Sequence, residues 1–144
     1  MIIDKLLQVS TSQVVTVTAV STDTIDLSQA KDIGEGENLY FNFNVEAAPT
    51  TPTSVEFQVI TSASAALSTP TIIGTSGAIA IASLPINTNV IVRLNARAGS
   101  TGQRYLGVQY TIVGTTTTSG TYSSAITHDL QDGKKFYASG FSVT

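Results

Sequence analysis

DIGEGENLYFNFNV, residues 32–45, is an acidic glycine loop that runs straight into a strand. Leu39, Phe41, Phe43 and Val45 fall on one face and Tyr40, Asn42 and Asn44 on the other, the period of two that a half-buried strand requires. Gly34 and Gly36 permit a tight bend before it. Residues 37–41, ENLYF, open a protease site often engineered between a tag and a protein. Asn42 stands where such a site needs glutamine, and the alternation runs through it unbroken, so the stretch reads as native strand.

Working outward, QVVTVTAV at 13–20 is rich in β-branched residues and predicts a first strand, with Val15, Val17 and Ala19 alternating against Val14, Thr16 and Thr18. Residues 21–32 predict a short extended piece anchored by Ile25 and Leu27. Pro49 and Pro52 mark a loop before a strand at 55–61, which points Val55, Phe57 and Val59 inward. Residues 62–77 are small, polar and interrupted by Pro70; they predict a long excursion with a brief strand at Ile72 and Ile73, and loops of that length are uncommon unless they bind something. Further strands are predicted at 78–83, at 89–96 with Val90, Val92 and Leu94 on one face, at 104–113 with Leu106, Val108, Tyr110 and Ile112 inward, and at 122–130. Glycines bracket 114–120 as a turn region, and Ile2 to Leu7 suits one helical turn or an arm lying on a neighbour. With no helix longer than a turn, this pattern predicts an all-β single domain over residues 1–144: a jelly roll, or antiparallel β-sandwich, of about eight strands.

A chain of 144 residues is long enough to bury roughly 70% of its unfolded surface. It contains no cysteine, so disulfides and cysteine-based zinc sites are excluded. Charged residues make up 12% of the chain, and there is none between Glu56 and Arg93 or between Arg104 and His128. A free monomer needs surface charge for colloidal solubility, so such neutral tracts point to surface that lies against another subunit. The net charge of −3 supplies no basic patch for nucleic acid or an anionic membrane, and no stretch approaches the length of an apolar membrane span. Lys134 and Lys135 follow an Asp-Gly turn signal and read as a solvated corner, while Asp4 and Lys5 interrupt what a secretory signal would need as an apolar core.

Chemistry-bearing constellations are few. His128 and Asp129 are adjacent, so in a strand they face opposite sides, and no serine sits in a G-x-S-x-G elbow. Asp23, Asp26, Asp32, Glu35 and Glu37 form the one acidic cluster, but without the spacing of an EF-hand; it reads as a solvated loop rather than a calcium site. Gly34 and Gly36 lack the third glycine and the helix of a dinucleotide fingerprint. No enzyme activity, cofactor or metal is expected. Tyr40, Tyr105, Phe136 and Tyr137 are the aromatics that strand alternation leaves unassigned, and they suit a subunit boundary.

The 32–45 stretch resembles one found in the capsid cement, or decoration, proteins of certain tailed bacteriophages. Three further pieces agree in order and spacing: STDTIDLSQAKDIG at 21–34, RYLGVQYTIVG at 104–114 and DLQDGKKFYASGFSV at 129–143. The resemblance covers most of 2–60 and 104–143, whereas 62–101 is without a counterpart. It implies a small jelly-roll protein, made in the host cytoplasm, that binds as a homotrimer on the outer surface of an icosahedral shell and clamps neighbouring major capsid proteins. The residues expected at subunit or capsid contacts are Ile2, Ile3, Leu6 and Leu7 of the arm, Tyr40, Tyr105, and Phe136, Tyr137 and Phe141 of the tail. Two other classes share this composition: a phage tail or fibre adhesin, and a carbohydrate-binding β-sandwich module.

Overall fold

A computed structural model describes residues 4–30, 39–94 and 103–128. Nine strands follow one another: β1 (Gln8–Val14), β2 (Ala19–Val20), β3 (Ile25–Asp26), β4 (Tyr40–Ala47), β5 (Ser54–Ser62), β6 (Thr71–Ala80), β7 (Asn89–Arg93), β8 (Tyr105–Val113) and β9 (Thr121–Thr127). They form two antiparallel sheets in the orders β1-β9-β4-β7 and β2-β8-β5-β6, with β3 alongside β8. The pairs β1 with β9, β2 with β8, β4 with β7 and β5 with β6 join early strands to late ones, nested inward along the chain. A long hairpin wrapped over itself gives that pairing, so the expected jelly-roll sandwich is present, with the two-residue β3 as the strand beyond eight.

β4 is central in its sheet, pairing with β7 from Tyr40↔Arg93 to Asn44↔Asn89 and with β9 from Tyr40↔Thr127 onward. Its alternation drives Phe41, Phe43 and Val45 fully out of solvent, and Leu39 packs partly buried against the same core. Across the sandwich Val55, Phe57 and Val59 of β5 and Leu106, Val108 and Tyr110 of β8 are equally buried. Phe43 and Phe57 lie 5.2 Å apart, Tyr110 meets Phe57 edge-on at 5.9 Å, and Tyr110 stacks on Tyr122 at 5.1 Å. Each such pair adds about 1 kcal/mol beyond its burial. Burial pushes the phenols of Tyr110 and Tyr122 up to about 12, because an anion there would lose its water.

Three sequence expectations are corrected. QVVTVTAV is not one strand: β1 begins earlier, at Gln8, and ends at Val14, and the chain turns over 15–18 to enter the other sheet as β2. Gln13 holds this corner, its amide nitrogen donating to the Val20 carbonyl (2.8 Å) and its oxygen accepting from the Thr22 N–H (3.1 Å). Val15 therefore reaches the core while Val17 is 51% exposed. The excursion expected over 62–77 is mostly strand, since β6 occupies ten residues and the 78–83 strand gives way to a single 3-10 turn at Ile81–Ser83. Its register against β5 shifts twice, and each bulge breaks the period of two from which the strand could have been read. The same bulges blunt a long uncharged edge. Beyond these three, β7 ends at Arg93 and β9 at Thr127, and residues 95–96 and 129–130 of the predicted strands lie outside the described residues.

The remaining loop, 63–70, folds back over the outer face of its sheet. Ser62 Oγ donates to the Ser68 carbonyl (2.8 Å), and Leu67 is almost wholly buried. A Cβ at residue 107 would lie 2.5 Å from Leu67 Cδ1 and 2.8 Å from Ser21 Oγ, so Gly107 is what lets Leu67 seat there.

Candidate interaction surface

Strand directions sort the described loops between two ends of the sandwich. Val14 pairs with Thr121, Ala47 with Thr121, Ser54 with Val113 and Ser54 with Ala80. Loops 15–18, 48–53, 81–88 and 114–120 therefore crowd one end, and none of their residues is charged or aromatic. Thr50, Thr51, Thr53, Thr115, Thr116 and Thr118 are exposed there, so we refer to it as the threonine end.

Three of these loops are bonded to one another, and 81–88 is bonded to β4. The Thr117 N–H donates to the Thr16 carbonyl (3.0 Å) and the Val15 N–H to the Gly120 carbonyl (2.9 Å), joining 114–120 to 15–18. The Thr50 N–H donates to Thr117 Oγ1 (3.3 Å), the Thr50 and Thr118 hydroxyls bond at 2.7 Å, and Ser119 Oγ donates to the Ala48 carbonyl (2.7 Å). The Asn87 N–H donates to the Val45 carbonyl (2.7 Å), and Leu84 plugs the core from the 81–88 loop. Pro49, Pro52 and Thr117 are buried beneath. Fixed φ at proline and restricted χ1 at threonine leave little freedom to lose on docking. Among the hydroxyls, Val17 and the 60%-exposed Ile86 offer aliphatic surface. The carboxylates flanking this end, Glu46 and Glu56, each accept from a hydroxyl on a sheet face, Ser123 and Thr75 respectively. The Thr75 bond, followed by one from Gln58, holds Glu56 below the ordinary glutamate range.

The opposite end gathers the sequence-selected residues that are described. Leu6 is 84% exposed in a 3-10 turn, Lys5–Leu7, whose Leu6 N–H is capped by Asp4 Oδ1 (2.9 Å), and Leu7 follows at the entry to β1. Tyr40 opens β4 and Tyr105 opens β8, both half-buried. Arg104 places its guanidinium 5.1 Å from the Tyr105 ring centre and grips Asp26 with two bonds of 2.8 Å. That grip, helped by the Ser28 N–H, holds the Asp26 carboxyl down to about 2, while Asp26 holds the guanidinium above its ordinary range. Both Asp26 oxygens are engaged by Arg104, so within the acidic cluster this carboxylate serves an ion pair. His128 is exposed just past β9. Ile2, Ile3, Asp32, Glu35, Glu37, Asp129, Phe136, Tyr137 and Phe141 lie outside the described residues.

Leu6, Leu7, Tyr40 and Tyr105 thus share one end, and sequence reasoning missed the other as a unit. Part of its signal lies in the two uncharged tracts, which hold 81–88 and 114–120; 15–18 and 48–53 lie outside them, and only the topology brings the four together. Among the described residues no three His, Cys, Asp or Glu side chains converge as a metal site would require, and no helix is long and apolar enough to cross a membrane. No curated protein matches the chain. The model of one family, Bbp16, matches residues 9–126, the span from β1 to the penultimate residue of β9, and the chain belongs to the Bbp16 family.

Proposed function

We propose that this protein is a structural virion component, a capsid cement that binds the outer surface of an icosahedral shell as a trimer and ties neighbouring major capsid proteins together. The observation that carries the reading is a sandwich whose four loops at one end carry no charge, which suits a surface buried against protein. The resemblance of 21–45, 104–114 and 129–143 to phage decoration proteins supports the same reading. Three protomers engaging three shell subunits would add weak contacts through valency, and cyclic symmetry would set one patch of each protomer against a different patch of the next.

The test is to mix the purified protein with capsids stripped of decoration and measure bound copies per shell. Saturation matched to the threefold and quasi-threefold positions is the expected result. Absence of binding, or cosedimentation with tails instead, overturns the reading. A stable monomer at micromolar concentration by light scattering would remove the trimer from it.

A further inference from the structure

The geometry points to the threonine end as the surface that seats on the shell, and to an uncharged protein surface as what it meets. This rests on the cement reading above. Each class of occupant makes a chemical demand that this end can be held to. Nucleic acid and anionic membrane demand cations, and loops 15–18, 48–53, 81–88 and 114–120 contain none. A glycan is usually met by an aromatic platform, and these loops carry no aromatic ring. A charged protein surface laid here would lose its hydration with no counter-charge to replace it. An uncharged protein surface meets none of these obstacles. It can exchange hydrogen bonds with the threonine hydroxyls and cover Val17 and Ile86.

Two independent features point the same way. One is charge placement: in a chain of net charge −3, Asp4, Lys5, Asp26, Arg93 and Arg104 lie at or beside the opposite end, while the two carboxylates that flank the threonine end, Glu46 and Glu56, stand on strands and are each bonded to a hydroxyl on a sheet face. The other is rigidity, since 15–18, 48–53 and 114–120 are cross-bonded, and 81–88 is fastened to β4, before any partner arrives. A second copy docked head-to-tail would press the Asp26–Arg104 end against this neutral one and strand its charges. Leu6, 84% exposed at that far end, leaves aliphatic surface there for contacts between protomers.

The experiment uses the full chain, stripped capsids as the probe, and single lysines as the perturbation. Val17→Lys and Ile86→Lys place a charge on two separate exposed loops of the threonine end, while Ala63→Lys places the same charge on an exposed site at the opposite end. We expect each threonine-end variant to bind at least about tenfold more weakly, because the new charge must be desolvated unpaired. Ala63→Lys should bind as the parent does, and all three should keep the parent's melting profile and sedimenting mass. Parent binding should change by less than about twofold between about 0.05 and about 0.5 M salt. Unchanged binding by both threonine-end variants overturns the assignment. A changed sedimenting mass in them overturns it in favour of a second copy as occupant. Failure of the parent itself to bind removes the cement reading and the seat with it, an outcome distinct from the other two. If Val17→Lys unfolds, Ile86→Lys reads the same end from a different loop.

Discussion

At the threonine end three loops are tied together by hydroxyls and main-chain amides, and a fourth is bonded to β4, with no charge among them, whereas the described part of the opposite end is held by the Asp26–Arg104 pair, a guanidinium over Tyr105 and the packing of Leu67 over Gly107. Neutral hydrogen bonds do not titrate, salt screens them little, and they can be covered without stranding an ion. An exposed ion pair behaves in the reverse way: it is screened, it titrates and it loses its hydration if buried. The two ends are therefore suited to different surroundings, one to sustained contact and the other to partial exposure to solvent.

The contrast between the ends should be most sensitive at Leu84, which fastens the threonine end to the core. Leu84→Ala should cost about 3–4 kcal/mol in denaturant unfolding, through lost burial and the cavity left behind. It should also speed amide exchange in 81–88 more than in 63–70. At the other end Gly107→Ala drives a methyl into Leu67 Cδ1, and we expect about 2 kcal/mol of destabilisation with the loop 63–70 lifted from the sheet. A smaller loss, about 1–2 kcal/mol, is expected for Thr117→Val, which removes an acceptor from the Thr50 N–H and a donor from the Ser119 carbonyl within a buried site.

Asp26→Asn should have the least effect, a small loss of stability at neutral pH because the pair is exposed. Its signature is in acid. The folded carboxyl is held down to about 2 against a model value of 3.8, so any stabilisation it gives is complete above the unfolded value and is lost as pH falls through the folded one. The parent and the variant should then converge over that interval in an acid titration of stability, and a difference that persists at the acid limit would deny the pair its assigned role.

Where one period of two ran uninterrupted, as from Leu39 to Val45 and from Leu106 to Ile112, the sequence was enough to identify strand, face and core together. It misled where tertiary demands broke that period. Bulges in β6 scattered its alternation, and the Gln13 amide turned a run of β-branched residues into a corner between sheets. The aromatics Tyr40 and Tyr105 were visible as residues without an obvious core position, since each opens a strand and is half-buried. The threonine end was not legible as a site, because its loops are separated by long stretches of chain and meet only through the nested pairing of early with late strands.

The chain contains no native cysteine, so a single introduced thiol reports on one position without background. Thr116→Cys at the threonine end and Ala63→Cys at the opposite end both fall on exposed residues, and both should react readily with a maleimide in the free protein. On binding to stripped capsids, we predict that the thiol at position 116 becomes protected while the thiol at position 63 stays reactive. Protection at position 63 with full reactivity at position 116 would contradict the assignment of the threonine end to the shell.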